Sequence, residues 1–401
     1  MADLLLEVGV LFAAAGAVTL VSSRLDQSVI PFYIVTGMAL GEFVAGRTGL
    51  PHVSESAFVS LGAELGIVFL LFFLGLEFNV ERLLARRTEI GMAGTIDFVV
   101  NFGVGLALGW AFFGAPLPAF LIAGIVYISS SAIITKSLID LGWIANDEAD
   151  PILGTLVYED LVIAVYLAVA SAVVLGSGDV AAAAVSIGTA LGFIVLLLAV
   201  VLWGGPAFRW LISTDSHEFL VVRVVGVTVL VAGVALSLGV SEAVAAFFVG
   251  MAFSATDDVE RLERLLEPLR DLFAAVFFTW IGLVTDPFLF AGVAGLVAVA
   301  VLVTTPSKLA SGYLGGLAYG LDPRRSARVG IGLTTRGEFS LIIAALTISG
   351  AGSGTFPADL ADTINAFAVG YVLVMAVLGT TLMQYSAPFE RLAVDRFGPG
   401  S

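Results

Sequence analysis

The residues able to do chemistry are few, and they sit in apolar sequence. Glu159 and Asp160 stand side by side in Tyr158-Glu159-Asp160-Leu161-Val162-Ile163. Neighbouring helical positions are about 100° apart, so one carboxylate can address a cavity while the other turns to a second helix. Apolar sequence runs on well past Asp160, which does not suit a solvated pair at a helix end. Lys308, in Thr304-Thr305-Pro306-Ser307-Lys308, is the second charge of this kind. The loop Asp322-Pro323-Arg324-Arg325 is about 14 residues or ~21 Å of helix away, too far for the ammonium to snorkel. Lys308 therefore needs an anionic partner, and the expectation is that it pairs with Glu159 while Asp160 faces the ion cavity. Two polar interruptions complete the set: Ser129-Ser130-Ser131 and Thr334-Thr335-Arg336-Gly337-Glu338. Arg336 and Glu338 read equally well as a structural ion pair or as charges balancing the ends of half-helices. A buried carboxylate can hold a proton or a cation but not both, and alternating access turns that competition into exchange. Asp97 and Asn101, one helical turn apart, carry less weight and read either as a local hydrogen bond or as residues lining the core. Glu42, Glu64, Glu77, Glu242 and Arg223 sit near the ends of apolar stretches and read as packing or snorkelling groups.

The elements that must position these groups follow from composition. The 401 residues are 59% hydrophobic and 13% charged, with a mean hydropathy of +1.04. A soluble domain carries roughly twice that share of charge, so the chain reads as an all-α polytopic membrane protein. There are no cysteines, which excludes disulfides, thiolate metal sites and cysteine nucleophiles, and the two histidines cannot build a histidine-rich metal site. Eighteen basic against thirty-three acidic residues argue against a nucleic-acid partner. A membrane helix needs roughly 20 mostly apolar residues. About thirteen stretches qualify, near 3–22, 28–46, 58–77, 90–113, 117–140, 151–175, 180–203, 218–238, 241–255, 270–284, 288–319, 327–349 and 362–386. The opening Met1-Ala2-Asp3 lacks the basic start of a cleaved signal peptide. Residues 259–269 alternate charge and apolar side chains at helical spacing, as in a short helix lying on the membrane surface. A cytosolic regulatory partner has a possible docking place there.

With the N-terminus outside and the C-terminus inside, fourteen of the eighteen basic residues fall on the cytoplasmic side; Arg47 alone falls outside, and Arg223, Lys308 and Arg336 lie within spans. Thirteen spans divide into two inverted six-helix repeats around a linker helix, with the two polar interruptions at corresponding fifth positions. The expected units are 1–89 for helices 1–3, 90–175 for helices 4–6, 176–217 for the linker, 218–287 for helices 8–10, 288–386 for helices 11–13 and 387–401 for a cytoplasmic tail.

In order and spacing, the sequence resembles the Kef-type cation:proton antiporters of the bacterial Na⁺/H⁺ exchanger superfamily. The residues that carry the resemblance are Glu64 to Glu77, Ser129-Ser130-Ser131-Ala132, Glu159-Asp160, Ala245 to Gly250, Phe277 to Leu283, Lys308 and Arg336-Gly337-Glu338-Phe339. The resemblance implies that Asp160, with Glu159 beside it, binds the cation or proton. It implies that Ser129–Ser131 and Thr334–Arg336 form two crossed, broken helices. It also implies a moving core of spans 4–6 and 11–13 against a scaffold of spans 1–3 and 8–10 that dimerises. Family members usually carry Asn, Asp or Gln where this chain has Glu159. Asparagine goes with electroneutral and aspartate with electrogenic exchange, so a carboxylate leans towards the electrogenic case. Kef-type proteins also carry a cytosolic nucleotide-binding domain, whereas this chain ends soon after its last span.

The function expected is exchange of Na⁺ or K⁺ for protons across the cell membrane, with no enzymatic activity and no cofactor beyond the transported ions. A sodium-coupled organic-anion symporter of related inverted-repeat architecture is the alternative. An intramembrane aspartyl protease fails, because Asp322, the second aspartate it needs, sits beside Pro323-Arg324-Arg325 in a loop.

Overall fold

The computed structural model describes residues 2–25, 28–48, 52–77, 86–175, 180–238, 242–254, 256 and 258–397. All regular structure among them is helical. The first half holds α1 (Ala2–Leu25), α2 (Ile30–Leu40), α3 (Ala57–Glu77), α4 (Arg87–Phe113), α5 (Pro116–Tyr127), α6 (Ser131–Asp140) and α7 (Ala149–Val174). A connecting pair follows, α8 (Val180–Trp203) and α9 (Gly205–Ile212). The second half holds α10 (His217–Ser237), α11 (Glu242–Ser254), α12 (Val259–Leu283), α13 (Phe290–Ala318), α14 (Pro323–Gly332), α15 (Glu338–Gly352), α16 (Ala358–Gln384) and α17 (Ala387–Phe397).

Seven of these helices are long and apolar enough to cross a bilayer alone: α1, α3, α4, α7, α10, α13 and α16. The end of α8 and α9 form an eighth candidate, bent by 67°. Of the other expected stretches, several are occupied by the shorter apolar helices α2, α5, α11 and α15, while 270–284 is the second part of the 25-residue α12. Stretches 117–140 and 327–349 are each two helices with a break, α5/α6 and α14/α15. Residues 259–269 are not a separate surface helix. They run straight into the following stretch as α12, with Pro268 inside it. Proline removes one N–H from the ladder but does not end a helix that packing holds on both sides.

Local chemistry sets several ends. Gly114, at φ +62°, closes α4 by donating its N–H to Trp110 O, a conformation that only glycine takes without strain. Pro116 opens α5 and Pro323 opens α14, and the Asp322 carboxylate accepts the Arg325 N–H.

The helices pack as two groups. In one, α3 lies against α11 and α12, α2 against α12, and α10 against α11. Backbone meets backbone at two crossings here. A Cβ on Gly37 of α2 would lie 2.0 Å from Thr279 O, and one on Gly282 of α12 would lie 2.0 Å from Ile34 O. A Cβ on Gly75 of α3 would lie 2.1 Å from Phe247 O, and one on Gly250 of α11 would lie 2.0 Å from Phe72 O. Membrane helices gain by such close approach because lipid gives them no hydrophobic drive to associate. In the other group α4 packs on α5, α7 and α13, α13 on α14 and α16, and α15 on α16.

At the arginine-rich end of this second group, α17 folds back on α14. Glu390 of α17 accepts from Arg324 Nε at 2.7 Å, from Arg328 Nε at 2.8 Å and from Ser386 Oγ at 2.8 Å. Arg328 also donates to Glu148 at 2.6 Å and lies 4.7 Å over the Trp143 ring, while Arg325 pairs with Asp147. Burial pushes the Glu390 carboxyl up, but the donors around it outweigh that and hold it at about 2.

Candidate functional site at the crossing of two broken helices

The α5/α6 break spans residues 128–130 and the α14/α15 break spans 333–337. The two breaks touch. The Ser130 N–H donates to Thr335 O at 3.0 Å, and a Cβ on Gly337 would lie 2.4 Å from Ser130 Oγ. Each break frees backbone groups that hydrocarbon cannot satisfy, and side chains of the second break and the helix after it take up carbonyls of both. Arg336, fully buried, donates Nε to Val126 O at 2.9 Å, and its Nη1 lies within 2.9–3.2 Å of the carbonyls of Leu333, Thr334 and Thr335. Ser340 Oγ donates to Ile125 O at 2.7 Å. The carbonyl ends of α5 and α14 are thus capped by one guanidinium and one hydroxyl, as the negative end of a helix dipole favours.

The three serines divide the work at the other break. Ser130 Oγ accepts from Ile133 N at 3.3 Å and starts α6. Ser129 binds Glu159, its N–H donating to Oε2 at 2.6 Å and its hydroxyl to Oε1 at 2.9 Å. Ser131, the first residue of α6, lies 3.4 Å from Asp160 Oδ1. The two adjacent carboxylates of α7 therefore take separate partners, and Asp160, 4% exposed, sits at the amino end of α6. That end carries partial positive charge and suits an anion.

Lys308 of α13 is fully buried and donates to Glu159 Oε1 at 2.6 Å. The same ammonium also donates to Asp97 Oδ2 at 2.6 Å and lies 5.3 Å from the Tyr127 ring centre. Asp97 is the member of this cluster that sequence reasoning underweighted. Its neighbour Asn101 does bond to it, Nδ2 to Oδ1 at 2.9 Å, as the spacing implied. Nothing local indicated that both face α13, where Ser311 donates to Asp97 Oδ1 at 2.7 Å and Ser307 donates to Asn101 Oδ1 at 2.7 Å.

The remaining candidates are placed as follows. Thr334, in the break, turns its hydroxyl back to Gly330 O of α14 at 3.1 Å. Thr335 contributes its carbonyl to the crossing, and its buried hydroxyl has no partner among the described residues. The side chain of Glu338 lies outside the described residues.

Comparison with known proteins decides the family. Residues 10–385 match the family described as sodium/hydrogen exchanger, transmembrane. The chain belongs to the sodium/hydrogen exchanger family. Within it, the chain is 34% identical over 395 residues to the K⁺/H⁺ antiporter subunit KhtU of Bacillus subtilis, covering 98% of this chain and 96% of that one. It is 30% identical over 368 residues to the ammonium/H⁺ antiporter subunit AmhT of Alkalihalophilus pseudofirmus, covering 89% of this chain and 86% of the relative. The exchanger fold is shared with the sodium proton antiporter MjNhaP1 of Methanocaldococcus jannaschii, at a TM-score of 0.73 and 15% identity over 94% of this chain and 99% of that one. This exchanger is accordingly a multi-pass membrane protein, and the family match and these relatives do not support the organic-anion symporter reading.

Proposed function

We propose that this exchanger carries a monovalent cation, Na⁺ or K⁺, in one direction and protons in the other, and that Asp160 is the group that holds each in turn. The observation that carries this reading is the position of Asp160. It is a buried carboxylate at the amino end of α6, beside the contact of two broken helices, with Ser131 at hydrogen-bond reach. A cation there finds a full negative charge and hydroxyl oxygens, and a proton discharges the same site. Glu159, held by Ser129 and Lys308, is the fixed charge next to it.

The two packing groups support an alternating-access cycle of the elevator kind. The group containing α4–α7 and α13–α16 carries Asp160 and moves; the group built on the two glycine crossings stays. Those crossings also support the inverted-repeat reading. They join the second span to the tenth and the third to the ninth, which a two-fold relation between six-span halves exchanges. The face of α1 around Leu5, Leu6 and Val10 is exposed and apolar, which suits contact with a second copy. The basic residues at the α14–α17 end favour a cytoplasmic position for that end.

The test is exchange in proteoliposomes loaded with a pH-reporting dye and pulsed with Na⁺ or K⁺ in turn. Cation-driven proton release from the purified protein, lost in Asp160→Asn, is the expected result. Equal flux in that variant overturns the assignment.

A further inference from the structure

We propose that Asp97 is a positioning residue for exchange: together with Glu159 it holds the Lys308 ammonium, and so sets the charge felt at Asp160. The inference rests on the antiport reading above and deepens it.

Three helices converge on one ammonium, Asp97 from α4, Glu159 from α7 and Lys308 from α13, with both bonds at 2.6 Å. All three side chains are at most 1% exposed. Asp97 is not a stray acid in this interior. Its Oδ2 takes Lys308, and its Oδ1 takes Asn101 and Ser311. Asn101 is itself fixed by Ser307. Two helices therefore devote four polar side chains to orienting a single carboxylate.

The ordinary alternative is a polar staple between α4 and α13, a common device in membranes. A staple needs no charge. Asn101 with Ser307 and Ser311 would already provide one, at far less cost than an aspartate in the interior of the bundle. What Asp97 adds is a second negative charge on an ammonium that a single carboxylate would balance. With it, the three side chains formally carry one net negative charge, in a cluster that includes Glu159, the chain neighbour of Asp160. Without it, they carry none, and Lys308 is drawn wholly to Glu159. The excess charge favours a cation, and equally a proton, at Asp160, so Asp97 acts on how tightly each is held rather than on the transfer itself; at alkaline pH, where protons compete least, the effect is read on the cation.

The experiment measures cation dependence and maximal rate separately in proteoliposomes, alongside thermal stability in detergent. Asp97→Asn should raise the cation KM at least about fivefold, as expected for loss of one charge near the site in a poorly screened interior, with the maximal rate per folded protein within about twofold of the unsubstituted chain. Asp97→Glu restores the charge and should bring KM most of the way back. Ser311→Ala keeps the carboxylate but loosens its brace, and should raise KM about two- to threefold by the loss of one charge-assisted bond. If Asp97→Asn does not fold, the Ser311→Ala result decides. Variants that lose stability or rate with an unchanged KM would show a staple and overturn the proposal. A protein without cation-driven proton flux before any substitution at Asp97 or Ser311 overturns the antiport reading, and this inference with it.

Discussion

The Ser130 N–H and the Thr335 carbonyl are 3.0 Å apart, so the breaks of two helices from opposite halves of the chain are hydrogen-bonded to each other. That bond fixes the relative height of four half-helix ends. It leaves the amino end of α6 beside Asp160 and gathers the carbonyl ends of α5 and α14 around Arg336.

Asp160→Asn should yield a folded protein without exchange. The side chain keeps its size and its capacity to bond Ser131, but it can no longer alternate between a proton and a cation. Dye-reported proton flux driven by either cation, compared at equal protein per liposome, is the measurement. Robust flux would refute the assignment.

Substitutions at the Lys308 cluster should be unequal. Lys308→Met strands two buried carboxylates and should cost about 3–5 kcal/mol, the range for breaking a buried pair. Glu159→Gln leaves the ammonium bonded to Asp97 and should cost no more than about half of that. The sequence alone suggests that neutralising Glu159 and Lys308 together restores stability. Asp97 changes that expectation, since the double variant still contains an unpaired acid. Thermal unfolding of the three variants in one detergent checks the order.

The same geometry bears on stoichiometry. Read without Asp97, a pair that breaks on cation binding frees Lys308 to release a second proton and makes exchange electrogenic, whereas a pair that persists leaves it electroneutral. In the structure, a lysine released by Glu159 is still held by Asp97. One cation should then exchange for one proton, and Na⁺-driven proton flux should be the same at imposed membrane potentials of opposite sign. A rate that follows the potential would contradict this.

Gly282→Ala should destabilise the protein and lower its yield. The added methyl would sit 2.0 Å from Ile34 O, a backbone atom with no rotamer to move away through. Overpacking of this kind costs about 1–3 kcal/mol and more where backbone must shift. Gly250→Ala, at the other crossing, should behave alike. Gly292→Ala, with open space around the new atom, should be tolerated. Melting temperatures of the three test the contrast.

The α17 attachment should persist across neutral and mildly acid pH and fail only in strong acid. The Glu390 carboxyl is held at about 2 in the folded protein, below the ordinary value of 4.5. Its stabilisation is therefore complete above about pH 4.5 and is lost as pH falls through about 2. Glu390→Ala should release α17 at neutral pH. Protease cleavage between α16 and α17, followed against pH, reports both.

Much of the site was legible because ionisable residues in apolar sequence are conspicuous. Glu159, Asp160, Lys308 and Arg336 stand out by their surroundings alone, and the paired polar interruptions mark both breaks. Asp97 was harder to weigh. Its bond to Asn101 is a four-residue relationship that any helix offers, whereas its bond to Lys308 spans 211 positions with no local sign. The joining of residues 259–269 to the next stretch as α12 was hidden for a different reason. Pro268 and the change from charged to apolar sequence both mark a boundary, yet tertiary packing carries the helix across it.

Arg336 has a consequence for cargo. Clustered backbone carbonyls make a good cage for a small cation, and the facing ends of α5 and α14 supply such a cluster at the heart of the molecule. A cage of that sort has no acid–base chemistry, so protons at physiological concentration could not evict an ion from it. By lodging a permanent cation there, the protein removes the decoy. On the proposed reading, the travelling ion is left with the Asp160 carboxylate, the one kind of oxygen ligand at this crossing that a proton can switch off.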